Sequence, residues 1–533
     1  MKKNILIVLV LILFFGTKSF AQKEEMRGIW VATTKNIDYP VSKYSTPETQ
    51  QKEFIQLLDL FQSVGINAVF VQVRPAADAF FDSPYEPWSE WLTGKQGKAP
   101  NPYWDPMTFM IDECHKRDME FHAWVNPFRA VANIATADIA ENHISRTKPE
   151  WFFTYDIHTY FNPGIPEVRE YLIKILEDIV KRYDVDGVHF DDYFYPYPIR
   201  DSSKVIIPVP DNDTFKKYGK GFSDVRDWRR DNMDKFISES NTRMKNINPT
   251  VKFGIGPSGV WRNKDSDPDG SDTRGLAHYD WLYADVLKWL KEDWLDYVAP
   301  QIYWNIGHKA ADYATLVQWW DKHTFGKQLY IGQGIYMAAA DASVSNWRNP
   351  SELPDQMRYA RKFKNVDGFI FYKTSALKKN PLGYNDSLRT DLFAEAAMPP
   401  RMDWLPELVA VDTEGIDVIE VVELVDLLAP PSPRSVTAVK VDKYYMLSWK
   451  APRVSGKKFD DAAVSYAIYR FEGLFAGKPS KAALVKTTSD THFFIDRNRF
   501  SLFKKNFTFV VTATDKAGNE SIVSESVTIR LKK

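Results

Sequence analysis

Eight times between Arg27 and about Phe393, a short apolar run is followed by a longer stretch with helical period. The apolar runs cover 28–34, 68–74, 120–126, 187–191, 252–257, 297–303, 329–333 and 368–372. The helical patterns that follow them cover 47–64, 106–117, 166–183, 222–246, 281–291, 313–323, 353–363 and 386–393. Apolar positions in these segments recur at three and four, as in Phe54, Leu57, Leu58 and Phe61. Thr46-Pro47 and Asp105-Pro106 are helix-start signals. Parallel strands need a crossover between them, and eight strand-then-helix units predict an α/β chain closed into a (β/α)8 TIM barrel. The competing open, doubly wound sheet would carry a glycine-rich phosphate turn after its first strand, and none is present.

A barrel of this kind does its work at the C-terminal ends of its strands, so polar residues should gather there. They do. The second run ends with Gln72 and Arg74 and is followed by Asp78 and Glu86; the third carries His122, Trp124 and Asn126, then Arg129. The fourth gives His189, Asp191 and Asp192, the sixth Gln301 and Tyr303, the seventh Gln333, and the eighth Lys373. Gly254 and Gly256 on the fifth run are expected to leave space inside. Strand period places His189 and Asp191 on the inward face and Val188 and Phe190 outward. The segment 185–198, VDGVHFDDYFYPYP, therefore sets two adjacent carboxyls at a strand end beside an aromatic rim.

Aromatics make up 14% of the chain, with 17 Trp, a supply suited to stacking on sugar rings; Trp88, Trp91, Trp261, Trp304 and Trp347 are the candidates. Net charge is −1 and no basic stripe stands out, which argues against nucleic acid as a partner. Lys2 and Lys3, the apolar run 5–15 and Ser19-Phe20-Ala21 read as a secretory signal over 1–21, cut after Ala21. The run is too short for a permanent anchor, no cysteine follows it for lipid attachment, and the mature chain is expected to be periplasmic or secreted, with no transmembrane anchor. The single cysteine, Cys114, excludes an internal disulfide and should lie buried on a helix.

Past the barrel, expected over 22–397, a proline-bounded acidic stretch at 398–432 reads as a linker. From 433 to 533 the pattern is all β, with strands at 435–441, 444–449, 465–471, 491–496, 507–515 and 521–530. Trp449, Tyr466, Tyr469 and the turn 515–520 resemble a fibronectin type III domain, a module that serves as a spacer or docking surface.

Four motifs in order, MRGIWVATT from Met26, NAVFVQVRPAADAFF from Asn67, AWVNPFR from Ala123 and DGVHFDDYFYP from Asp186, resemble the glycosyl-hydrolase-like 10 family over roughly 26–390. That resemblance implies an exported bacterial TIM-barrel glycosidase acting on a cell-wall glycan, namely denuded peptidoglycan strands, with no cofactor. The fourth motif is also similar to the chitinase pattern DGxDxDxE: Asp186, Gly187 and Asp191 match, His189 replaces an Asp, and Tyr193 stands where the acid Glu would be. Gln301 and Tyr303 resemble the pair that braces the acetamido group in those enzymes.

Glycoside hydrolysis needs a proton donor and a group that stabilises an oxocarbenium-like centre. Asp192 is the first choice for the donor, with Asp191 orienting it or stabilising positive charge; like-charge repulsion should raise one of the two pKa values. Asp78 and Glu86 are reserve carboxylates. Arg74, Asp78, Asn126, His189, Tyr193, Gln301, Tyr303, Trp304 and Lys373 are candidate substrate-binding groups, and Arg74 or Lys373 would suit a lactyl carboxylate. Metal chemistry is disfavoured, since the first run holds no His-x-His and the run Asp265, Asp267, Asp269, Asp272 lacks a closing Glu. The alternatives are a glycan-binding barrel without catalysis and a hydrolase of another polysaccharide, such as an α-glucan.

Overall fold

The strands Met26–Val31 (β1), Ala68–Arg74 (β2), Glu120–Val125 (β3), Gly187–Phe190 (β4), Lys252–Ile255 (β5), Tyr297–Val298 (β6), Gln328–Gly334 (β7) and Val366–Tyr372 (β8) pair in parallel, each with the next in the chain. β8 pairs with β1, so the sheet closes into a barrel. In the computed structural model the described residues are 24–402, 404, 430, 432–441, 444–452, 465–473, 483–496, 505–514, 520–521 and 523–531. The leader and most of the linker expected from sequence lie outside them. The chain divides into two compact units, Met1–Glu407 and Leu408–Lys533. Among the described residues, no helix is long and apolar enough to cross a membrane.

Helices α1 (Pro47–Ser63), α2 (Pro106–His115), α3 (Pro166–Arg182), α4 (Val225–Ile247), α5 (Val286–Lys291), α6 (Tyr313–Asp321) and α7 (Glu352–Ala360) fill the crossovers. A short helix Tyr384–Ser387 running into Leu388–Leu392 takes the eighth place. Local chemistry sets their starts. Thr46 accepts from the Thr49 amide with Pro47 at the first helical position, and Asp105 accepts from the Met107 and Thr108 amides ahead of α2. Phe54, Leu57, Leu58 and Phe61 are buried on one face of α1, and Cys114 is buried on α2 as expected.

Strand alternation separates two cores. Ile29, Val31, Val69, Val71 and Val73 face the helices, whereas Trp30, Phe70, Trp124, Tyr297, Tyr330 and Ile370 fill the barrel. A polar column runs among the inner rings. The Trp30 indole N–H donates to His189 Nε2 at 3.0 Å, which places the neutral imidazole proton on Nδ1, facing Tyr297 Oη at 3.0 Å. The Tyr297 hydroxyl then donates to His122 Nδ1 at 3.2 Å, and His122 Nε2 donates to Glu120, itself paired with Lys252. Every link has one donor and one acceptor. Burial, with His122 nearby, pushes the His189 imidazole well below the ordinary range, in keeping with its neutral state.

Inner glycines make this column fit. A Cβ on Gly187 would sit 2.3 Å from His122 Nδ1, and one on Gly254 would sit 2.4 Å from the Tyr297 ring. The space expected at Gly254 is therefore occupied by Tyr297, not open to a ligand. Gly187→Ala should lower the urea midpoint of unfolding by an amount worth about 1–3 kcal/mol, with the slope unchanged. A wild-type midpoint would show that the interior yields.

Two features went beyond the sequence expectation. A three-stranded antiparallel sheet, Arg129–Val131, Phe152–Tyr155 and His158–Phe161, is inserted after β3. Residues 398–401, read as the start of the linker, lie against the N-terminal ends of the strands: Pro400 O accepts from Lys252 Nζ and Arg401 O from Gln328 Nε2.

The second unit holds two antiparallel sheets, one of Arg434–Val441, Tyr444–Lys450 and His492–Asp496, the other of Leu484–Thr488, Ser465–Glu472, Lys505–Thr514 and Val527–Leu531. Leu447, Trp449 and Ile495 of the first share a core with Tyr466, Ile468, Phe509 and Val511 of the second. Leu484–Thr488 was not expected, and the last strand is shorter than read. The turn at 515–519 lies outside the described residues.

Candidate active site

β4 delivers Asp191 and Asp192 to the barrel mouth, both with little exposure. Asp191 Oδ2 accepts from the Trp124 indole at 3.3 Å and from Asn126 Nδ2 at 3.4 Å, and its Oδ1 accepts from the Tyr193 amide at 3.2 Å. Asp192 Oδ2 accepts from the Tyr197 hydroxyl, and its peptide oxygen lies 3.3 Å from His278 Nε2. Gln301, just past β6, hydrogen-bonds Asp192 and also donates to Gly256 O at 2.7 Å. Burial, then the charge of Asp192, raises Asp191 to about 7 against the opposing pull of Arg129. Burial also raises Asp192, but the Tyr197 hydroxyl, Arg129 and Gln301 restrain it. Two adjacent carboxyls cannot both ionise cheaply in such a place, so the pair retains one proton towards neutral pH.

Aromatic rings wall the mouth. Tyr303 stacks on Tyr372 with centroids 5.9 Å apart, and Tyr336 meets both edge-on. Across from them Tyr193 meets Tyr197 edge-on at 5.7 Å, and the Arg129 guanidinium lies 4.1 Å over the Tyr193 ring. Arg129 is a cation whose charge acts on both carboxyls of the pair. Its amide donates to Asn126 Oδ1 at 3.1 Å, so a single Asn side chain positions Asp191 and the turn carrying Arg129.

Asp191, Asp192, Asn126, Tyr193, Gln301 and Tyr303 are thus brought together. Arg74, Glu86 and His189 are engaged elsewhere. Arg74 is fully buried in a two-pronged pair with Glu86, Nε to Oε2 at 2.7 Å and Nη2 to Oε1 at 2.5 Å, and its Nη1 donates to Asn126 O and Pro127 O. It holds the site's backbone and has no face for a ligand, which corrects the expectation for both Arg74 and Glu86. His189 is corrected likewise: both ring nitrogens are engaged beneath Trp30. Lys373 lies near Asp38 and helps to hold that carboxyl down against its burial. Asp78 occupies a separate cleft described below. Trp304 is half-buried beside His308 and Gly259. Trp88, Trp261 and Trp347 are core rings, while Trp91 is half-buried. In the acidic run, Asp267 pairs with Arg262 at 2.6 Å, and no cluster of metal-ligating groups occurs among the described residues.

Arg129, Tyr197, Tyr336 and Tyr372 are the members that sequence reasoning did not assign to the site. Tyr197 had a signal, being the last ring of the aromatic run after the acid pair; Arg129 had one in its place just past β3.

Residues 25–348 match the family model described as glycosyl hydrolase-like 10. The chain is 41% identical over 512 residues to glycosyl hydrolase YngK of Bacillus subtilis (strain 168), covering 95% of this chain and 93% of that protein. It is 40% identical over 379 residues to glycosyl hydrolase DigH of Escherichia coli (strain K12), covering 67% and 84%. Among solved structures, the PgaB (BpsB) glycoside hydrolase domain from Bordetella bronchiseptica aligns with 68% of this chain and 98% of its own, at 13% identity and a TM-score of 0.43. The chain belongs to the glycosyl hydrolase-like 10 family and is a glycoside hydrolase.

Proposed function

We propose that this enzyme is exported by its 1–21 leader and cleaves N-acetylated cell-wall glycan, with denuded peptidoglycan strands as substrate. The observation that carries this reading is the buried Asp191–Asp192 pair set between Tyr303 and Tyr193 in a mouth where Arg129 opposes the two carboxyls. The likeness of the strand-four motif and of Gln301 and Tyr303 to enzymes that use the substrate's acetamido group supports the substrate class. We further propose a barrel over 22–397 on which residues 398–401 still pack, a linker in the remainder of 398–432, and a fibronectin type III-like spacer or docking module over 433–533.

Burial and like charge favour a division of labour opposite to the first choice from sequence. Burial and the charge of Asp192 raise Asp191 in spite of its three donors, while the Tyr197 hydroxyl and Gln301 support Asp192 as the carboxylate, so we assign the shared proton to Asp191. Asp191 delivers that proton to the glycosidic oxygen as the C1–O bond breaks. Asp192 accepts the acetamido N–H and strengthens its carbonyl oxygen, which bonds to C1 in place of the leaving sugar. Water then opens the cyclic intermediate at C1 and returns a proton to Asp191. Stacking of the sugar on Tyr303 and Tyr193 keeps bulk water from the centre, where fixed donors act most strongly.

Denuded peptidoglycan strands, chitin oligomers and α-glucans offered to the mature protein should give cleavage of the first alone, measured by chromatography of the released ends. Cleavage of an α-glucan with the strands left intact would overturn the substrate assignment.

A further inference from the structure

Beside the mouth, the loops after β1, β2 and β3 enclose a cleft of about 190 Å³ lined by Lys35, Asp78, Trp91, Gln96, Asn133 and Ala137, among others. We infer that this cleft is a distal subsite of the enzyme, taking one pyranose ring of the glycan strand at a distance from the bond being cleaved. The inference rests on the proposed reading of the substrate as a polymeric strand.

The cleft adjoins the turn that carries Arg129. Ala130 and Val131 on its wall directly follow Arg129, and the charges of Lys35 and Arg129 both bear on His158. A strand threaded through the mouth is thereby led towards it.

Its chemistry is that of a sugar site. Asp78 is buried and makes no ion pair among the described residues. The Ala76 amide donates to its Oδ1 at 3.2 Å, Gln96 Nε2 to its Oδ2 at 3.4 Å, and Ser89 also reaches it. A carboxylate has about four acceptor sites, so one remains for a sugar hydroxyl. Burial raises Asp78 to about 7, so near neutral pH it also offers an O–H to an acetamido carbonyl. Trp91 adds an apolar face for ring C–H groups, with the Lys43 ammonium 5.1 Å from its centre and paired to Glu90 at 2.9 Å.

The cleft is also preformed. Gln96 joins its two walls, donating to Asp78 on one and accepting from the Ala140 amide at 2.9 Å on the other. Ala77, next to Asp78, is held at a φ of 50°, a left-handed strain that persists only where its surroundings enforce it. The volume falls below the roughly 300 Å³ at which pockets begin to hold drug-sized ligands, which suits one ring and not a chain.

Ala137→Trp fills the cleft from a half-exposed loop position without touching the acid pair. On long glycan strands it should raise KM about tenfold with kcat held, and on the shortest cleavable oligosaccharide it should leave kcat/KM unchanged. Asp78→Leu, which removes the polar contact, should give the same split. Unchanged KM on long strands in both variants would overturn the subsite, and so would equal losses on long and short substrates, the mark of a disturbed fold. If wild type cleaves a different polymer, the peptidoglycan assignment fails, while the same long-against-short comparison on that polymer still decides the cleft.

Discussion

Asp191→Asn is expected to lower kcat/KM on glycan strands by about 10²–10⁴-fold, the usual contribution of a positioned proton donor. The same variant should keep most of its rate on an aryl glycoside whose leaving group departs without a proton. Asp192→Asn should lose both activities, because stabilisation of the charged centre is needed whatever leaves. The wild-type pH profile follows from the same assignment. Asp191 must carry its proton, so kcat/KM falls as pH rises through about 7; Asp192 must be ionised, so it also falls on the acid side. In Asp192→Asn the like charge that helps to raise Asp191 is gone, and the basic limb of its residual activity should move to lower pH. Rescue by the good leaving group in Asp192→Asn alone would return the donor role to Asp192. Undiminished cleavage by both variants would remove the pair from the chemistry.

The barrel was legible because its signals are local. Each strand is a short apolar run, each helix an amphipathic period, and starts such as Thr46-Pro47 and Asp105-Pro106 depend on residues a few positions apart. The acid pair was legible for a related reason: two carboxyls at a strand end before Tyr193, Tyr195 and Tyr197 have few structural uses. What escaped was partnership. Arg74 and His189 have the parity of substrate-facing groups, yet Glu86 arrives from a loop to claim the first, and Trp30 and Tyr297 from opposite strands claim the second. Gly254 reads as space from its own strand, but the neighbouring Tyr297 decides what fills it. The hairpin Phe152–Tyr155 and His158–Phe161 did leave a mark, alternation about Asp156 at positive φ, but a strand-and-helix count has no place for an inserted sheet.

Arg74→Met should destabilise the barrel by about 3–5 kcal/mol, because it strands the Glu86 carboxylate in a site with no exposure. Glu86→Leu should cost a similar amount by stranding the guanidinium. The double variant Arg74→Met/Glu86→Leu should regain much of the loss, since two apolar groups of comparable volume need no desolvated charge; chemical denaturation of the four proteins closes the cycle. Stability, however, does not exhaust the role of Arg74. Its Nη1 anchors the carbonyls of Asn126 and Pro127, and Asn126 is the residue that reaches Asp191 on one side and the Arg129 amide on the other. The stable double variant should therefore remain slow, with kcat reduced about tenfold or more and the basic limb of its pH profile displaced as Arg129 drifts from the acid pair. Wild-type kcat in a refolded double variant would show that Arg74 and Glu86 serve only the fold. A slow but fully stable enzyme would show that the rim positions read from sequence as ligand-facing act on the substrate through the backbone that carries Asn126 and Arg129.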